Sequence, residues 1–227
     1  MEKSGWLGIY RQHVFDEPVD GNRAHYLELI KTLRQSAPKL KTIEATHCSD
    51  LVGAVDVWVP ESDMLAQKLE FYRERQKAGD EVWFYTCLNP RAPHLNRFMD
   101  YPLLKPRLLH WANFKYGITG YLHWGWNCWP ADPFKEVEIA GEQALPPGDT
   151  HIVYPKPGGG GVLDSIRYEA MLEGIQDYEL LKALAGKNPE KARAICDSVI
   201  QDWTKYTLDI DVFRAARKQL LEALSQE

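Results

Sequence analysis

Asp16 and Glu17 stand side by side at the end of an apolar run, and Pro18 follows them. Leu7, Ile9, Tyr10, Val14 and Phe15 supply the β-branched and aromatic bulk of a buried strand, while Pro18 cannot extend a ladder. The stretch Trp6–Pro18 therefore predicts a strand that stops at the two acids. Neighbouring carboxylates at the mouth of a buried strand repel each other, which raises at least one pKa unless cations or donors compensate. A general acid needs that environment. The same tripeptide also suits a solvated turn, with Asp capping the backbone and Pro fixing φ, so the acids alone leave both readings open.

The elements that must position these acids follow in order. Asn22 is placed to cap a helix from about Arg23 to Gln35, where Tyr26, Leu27, Ile30 and Leu33 recur at helical spacing. Leu40–Cys48 and Val55–Val59 read as strands, the second closed by Pro60. Ser62 is expected to cap the next helix, and Gly79 to end it. Glu81–Cys87 is the next strand, Arg107–Tyr116 a helix stopped by Gly117, and Ile118–Asn127 the last strand. Apolar strands alternating with helices predict a parallel sheet covered by helices.

Ligands of such sheets meet the carboxyl ends of the strands. Beyond Asp16 and Glu17, those ends carry His47, Trp58, Tyr85 and the cluster His123, Trp124, Trp126, Asn127 and Trp129. Eight Trp and eleven Tyr make rings abundant there, and such rings stack on sugar faces as readily as they fill cores.

From Pro130 to Gly161 the chain reads as a long connection ending in the run Gly158–Gly161, which lacks the GK[ST] of a phosphate loop and is taken as a hinge. Three amphipathic helices follow, from Asp164 to about Ala185, from Pro189 to about Tyr206, and from Asp211 to Ala223. The expected organisation is 1–130 as a partial (β/α) barrel, 131–163 as a long loop or lid, and 164–227 as C-terminal helices packed on the barrel.

Composition narrows the function. The 227 residues carry a net charge of −5 with no Lys/Arg run, which argues against nucleic acid as a partner. Cys48, Cys87, Cys128 and Cys196 form no C-x-x-C pair, so free thiols are expected. His13, His47 and His123 show no H-x-H or H-E-x-x-H spacing, and neither a metal nor a cofactor is expected. There is no signal peptide and no apolar span of membrane length, so the chain as given reads as soluble and cytoplasmic, from a parent that can be exported.

Four ordered motifs, HVFDEP, VWFYTC before a proline loop, PRLLHWANFKYGITGYLHWGWNCW and DSIRYEAMLEGIQDYELL, resemble the catalytic domain of glycoside hydrolase family 123. The resemblance covers nearly all of the chain. It implies a (β/α)8 barrel that cleaves β-linked N-acetylgalactosamine with retention, the nucleophile being the substrate's own acetamido group. Glu17 then matches the general acid/base, and Asp16 the residue that orients the acetamido nitrogen. Acid and nucleophile carboxylates normally flank the bond about 5 to 5.5 Å apart from different elements, whereas adjacent acids suit a nucleophile supplied by the ligand. Tyr85, Trp124, Trp126 and Trp129 match an aromatic wall, with Trp58 at a further strand end, Asn127 available to a hydroxyl, and His13 facing the pocket or packed in the core. Arg167, Glu169, Asp177 and Tyr178 match the terminal helix motif, where packing and ion pairing are expected.

The family's acid pair ends about the fourth barrel strand, so this chain resembles the C-terminal portion of the domain, about the last five strands. Five parallel strands cannot close a barrel and leave the acid-bearing strand as an edge. A second copy, or a separate N-terminal half, would cover it. The implied partner is a carbohydrate with a terminal N-acetylhexosamine. The alternative reading is a non-catalytic sugar-binding or assembly module derived from the same fold.

Overall fold

Four short strands, β1 (Ile43–Glu44), β2 (Val57–Trp58), β3 (Glu81–Tyr85) and β4 (Gly120–Leu122), pair in parallel in the order β1-β2-β3-β4. The computed structural model describes residues 1–137 and 145–225. It divides into two units, Met1–Tyr85 with Thr119–Leu122, and Thr86–Ile118 with His123–Glu227. The fold class is mixed α/β.

The sheet lies in the first unit. Ile43, Val57 and Val59 form its core, and Trp83, Tyr85 and Leu122 pack against them. Helix α1 (Arg23–Ser36) precedes β1 and buries Tyr26 and Ile30. Helices α2 (Ser62–Gln67) and α3 (Leu69–Ala78) lie between β2 and β3 and pack on β3. Gly79 ends α3 at φ 100°, a left-handed conformation that only glycine adopts without strain. Asn22 is the N-cap of α1 through its carbonyl, which accepts from the Tyr26 N–H, while its side-chain Oδ1 accepts from the Val19 N–H at 2.8 Å and not from the helix.

The strand expected over Trp6–Pro18 is absent. Two 3₁₀ turns, Glu2–Ser4 and Trp6–Gly8, take up its start, and the side chains of Trp6, Ile9 and Tyr10 are exposed. A single parallel bridge remains, in which the Gln12 N–H donates to Lys41 O and the Ile43 N–H to Gln12 O. Beyond it the buried Glu44 carboxylate accepts from the N–H groups of Val14 and Phe15, at 3.0 and 3.4 Å. A side-chain acceptor has replaced the ladder, and the backbone turns away from β1. Apolar composition predicted burial, but a strand also needs a neighbour to pair with along its length.

The second unit holds α4 (Leu104–Tyr116), α5 (Ile166–Lys187), α6 (Pro189–Val199), α7 (Ile210–Ser225) and a hairpin of β5 (Tyr154–Pro155) with β6 (Val162–Leu163). Helix α4 packs on α5 and α6, and α5, α6 and α7 pack on one another. Gly174 lets α5 approach the backbone of Arg107 in α4, since a Cβ there would overlap the Arg107 carbonyl oxygen. Asp177 joins three helices. Its fully buried carboxylate accepts from Arg107 Nε at 2.7 Å, Arg217 Nε at 2.9 Å and Trp111 Nε1 at 3.2 Å.

Several helix ends fall beside their expected places. Ser165, not Asp164, caps α5 by accepting from the Tyr168 N–H. Helix α6 stops at Val199 because Ile200 becomes extended and pairs with Tyr206, while Asp202 Oδ1 takes the N–H groups of Thr204 and Lys205. Part of the expected loop or lid, residues 138–144, lies outside the described residues. Gly158–Gly161 form the tip of the β5–β6 hairpin, all at positive φ. Among the described residues no helix is long and apolar enough to cross a membrane.

Candidate active site

In the first unit the segment His13–Pro18 is held at two points. Glu44 grips the N–H groups of Val14 and Phe15, and Thr46 Oγ1 donates to the Pro18 carbonyl at 2.6 Å. Between them Asp16 and Glu17 are exposed. Tyr85, the last residue of β3, donates its phenolic O–H to Glu17 Oε1 at 3.0 Å. Glu17 is also the only non-glycine residue at positive φ among the described residues, at 47°. A side chain there costs on the order of 1 kcal/mol and persists where its surroundings enforce it. The loop thus turns Glu17 toward the end of β3.

Glu61 belongs to the same rim and carries no signal in the sequence beyond following Pro60. Its backbone pairs with Tyr85 in a parallel bridge, and its carbonyl accepts from the Leu65 N–H, which makes Glu61, not Ser62, the N-cap of α2. One carboxyl oxygen, Oε1, is shut from solvent and has no hydrogen-bond partner among the described residues. Burial, then the charges of Asp63 and Glu17, push this carboxyl up to about 7.

His13 is half-exposed, with Nδ1 2.8 Å from Glu44 Oε2. Burial raises the Glu44 pKa against the opposing pull of the Val14 and Phe15 N–H groups and the charge of His13. Glu44 was invisible in the sequence as one acid inside an apolar strand. Trp58 has no exposed surface: its ring packs edge-on against Phe71 and Tyr72, and its Nε1 donates to Asp80 Oδ2 at 3.0 Å. The structure places it in the core, where it offers nothing to a ligand. His47 is exposed, and its carbonyl accepts from Lys68 Nζ.

The second unit carries the remaining residues singled out. His123 is buried, its side chain 4% exposed. Its Nδ1 accepts from the Gly125 N–H at 3.1 Å and lies 2.7 Å from Arg97 Nη2, which assigns the ring proton to Nε2, 3.2 Å from Asp149 Oδ1. Burial, helped by the charges of Arg97 and Arg167, lowers the His123 pKa to about 4, so the ring is neutral near pH 7. Trp124 donates Nε1 to Asp149 Oδ2 at 3.1 Å and lies nearly parallel to the His123 ring. Trp124 and Trp126 remain 48% and 45% exposed, and Asn127 is exposed beside them.

Asn127 pairs with His151 in an antiparallel bridge, and the half-buried Trp129 donates Nε1 to the Val153 carbonyl. Asp149, Arg97 and Arg167 underlie this cluster; Asp149 and Arg97 carry no signal in the sequence, whereas Arg167 belongs to the terminal helix motif. Arg167 donates to the carbonyls of Arg97, Gly148 and His151, so it acts as a backbone clamp. Among the described residues no three His, Cys, Asp or Glu side chains gather closely enough to hold a metal ion.

The class these features define is a mixed α/β chain with carboxylates at the carboxyl rim of a parallel sheet, where ligands of such sheets bind. Residues 1–184 match the family model for the glycoside hydrolase 123 catalytic domain, and the chain belongs to that family. Among solved structures it is similar to a family 123 glycoside hydrolase from Clostridium perfringens, studied for the details of glycolipid glycan hydrolysis. That likeness has a TM-score of 0.72 at 17% identity and covers 99% of this chain and 42% of the other, so the chain spans less than half the length of that relative. At this identity the likeness concerns the fold. No curated protein matches the sequence.

Proposed function

We propose that this chain is the C-terminal portion of a (β/α)8-barrel glycosidase that releases terminal β-linked N-acetylhexosamine, N-acetylgalactosamine in particular, with retention and through the substrate's acetamido group. The observation that carries the reading is the pair of adjacent acids, one of which, Glu17, is turned by a left-handed backbone toward the Tyr85 phenol.

In this reading the acetamido oxygen attacks C1 as the glycosidic bond breaks, and Glu17 gives its proton to the departing oxygen. Asp16 accepts from the acetamido N–H and offsets the positive charge that develops on the cyclised ring. Glu17, now a carboxylate, then takes a proton from the water that attacks C1 and reopens that ring. Tyr85 keeps Glu17 aimed through both steps. Taken by itself, the second unit exposes the faces of Trp124 and Trp126, which suit stacking on a sugar, and the side chain of Asn127, which suits a hydroxyl.

Release from an aryl β-N-acetylgalactosaminide is the test. Glu17→Gln should lower turnover by about 10²- to 10⁴-fold, and Asp16→Asn should abolish tight binding of a thiazoline mimic of the cyclised intermediate. Turnover indifferent to Glu17→Gln removes the assignment.

A further inference from the structure

His47, three residues beyond β1, has no part in the chemistry outlined above, yet it lines a cleft of about 410 Å³ in the first unit. Val19 and Asp20 line the same cleft, as do Ser49, Asp50 and Lys68, the last at the junction of α2 and α3. The cleft adjoins the acids through the backbone. Val19 is two residues from Glu17, a span of at most about 7 Å between Cα atoms. Pro18, between them, is fastened to the segment that carries His47: Thr46 Oγ1 donates to its carbonyl at 2.6 Å, and the Cys48 N–H donates to the same Oγ1 at 3.1 Å.

The polar groups of the cleft are held in place and only partly used. Lys68 Nζ donates to the His47 carbonyl at 2.8 Å, which takes one of its three protons, and no carboxylate pairs with it among the described residues. The Cys48 thiol donates to Asp20 Oδ1 at 3.5 Å, which leaves Oδ2 to accept. Asp50 is paired with Arg23, so the acids and cations around the cleft offset one another, which suits a neutral ligand over an anion. Donors and acceptors stand together there, as a hydroxyl requires, since it both gives and takes hydrogen bonds. No Phe, Tyr or Trp lines the cleft among the described residues, so an aryl group would bury little apolar surface in it.

Resting on the reading of Glu17 as acid/base, we propose that this cleft is the subsite for the leaving group, and that the leaving group is a neutral sugar held through its hydroxyls by Lys68, Asp20 and His47. An acid that protonates the departing oxygen lies beside the leaving group, and the cleft is a polar recess next to that acid. Contacts made in it keep the departing oxygen within reach of Glu17, so they favour a glycoside with a sugar on that side over one with an aryl group.

Two measurements on the intact chain decide the matter. The first compares kcat/KM on the aryl β-N-acetylgalactosaminide with that on disaccharides in which the same sugar is β-linked to galactose or to glucose. In Lys68→Met and in Asp20→Asn the ratio of disaccharide to aryl kcat/KM should fall about tenfold or more, the worth of a hydrogen bond to a charged group, and Lys68→Arg should keep most of it. Equal losses on both kinds of substrate would mean a structural role, and an unchanged ratio an idle cleft. Either result overturns the proposal.

The second needs no turnover. It follows the His47 ring and the Ser49 amide by NMR while lactose, two neutral hexoses without an acetamido group, is added. Both signals should shift saturably in the native protein and in Glu17→Gln, and the midpoint should move to higher lactose in Lys68→Met. The absence of saturable shifts in the native protein overturns the subsite even if Glu17 proves catalytic. Activity that survives Glu17→Gln instead defeats the acid assignment, and with it the leaving-group role of the cleft.

Discussion

Tyr85 and Glu17, 68 residues apart in sequence, are joined by a 3.0 Å hydrogen bond from the phenol to Oε1. Tyr85 ends β3, so the acid on a loop is tied to the sheet. A hydrogen bond to an ionisable group is worth about 1.5–3 kcal/mol net, so Tyr85→Phe should lower kcat about ten- to a hundredfold and leave KM nearly unchanged. Steady-state kinetics on the aryl glycoside measures this. A change confined to KM would mean that the phenol binds sugar instead of holding the acid.

Gly120 opens β4 opposite Trp83 of β3, and a Cβ there would overlap the atoms of the Trp83 ring. The ring lies over the glycine, so the pair is one packing unit. Gly120→Ala should cost about 1–3 kcal/mol of unfolding free energy. In the double variant Gly120→Ala, Trp83→Leu the losses should fall short of the sum of the singles, because the clash has gone. Strictly additive losses in urea denaturation would sever the two residues.

These pairs show what the sequence could and could not convey. The order of strands and helices was legible, because the period of the apolar residues changes at each element and Gly79 and Gly117 mark helix ends that need a left-handed residue. The caps were legible only to within a residue or two. Glu61 beside Ser62, Ser165 beside Asp164, and Asp209 beside Asp211 are chemically adequate competitors, and the local backbone chose between them.

The strand expected over Trp6–Pro18 is absent for a different reason. Trp6 and Ile9 have strand-like side chains, but whether a ladder runs beside them is a property of the rest of the fold. Asp16 and Glu17 were visible as an adjacent pair, and Tyr85 as a strand end. The Glu17–Tyr85 bond was not, nor were Glu44, Glu61 and Asp149, because an isolated acid in an apolar context looks the same whether it is solvated or buried.

Asp177 is the charged hub of the second unit, with no exposed side-chain surface and with Arg107, Arg217 and Trp111 all donating to it. Removing its charge leaves Arg107, itself largely buried and lying over the Phe213 ring, with only the more exposed carboxylate of Glu173 as counterion. Asp177→Asn should therefore cost about 3–5 kcal/mol, seen as a lower Tm. Arg217→Met should cost less, since the Arg107 pair survives. Equal losses for the two variants would place the stabilisation in the packing of α7 instead of the ion pair.

Glu44 links stability to pH and to the placement of the acids. Its carboxyl is fully buried, and burial raises its pKa above the ordinary value of 4.5. A raised folded-state pKa means that the native state binds the proton more tightly than the unfolded chain does. The stabilisation is then complete below about pH 4.5 and is lost as pH climbs through the folded value. Glu44→Gln abolishes that titration, and the urea midpoint of the variant should decline less than the native one between about pH 4 and pH 8. Glutamine keeps one acceptor oxygen and puts a donor NH2 where the second stood, so one of the two N–H groups loses its partner and amide hydrogen exchange at Val14 and Phe15 should quicken. Because Asp16 and Glu17 follow directly on those two residues, the same variant should bind the thiazoline mimic less tightly. Parallel pH slopes for the two proteins, with unchanged exchange at Val14 and Phe15, would show that Glu44 neither titrates abnormally nor holds the loop.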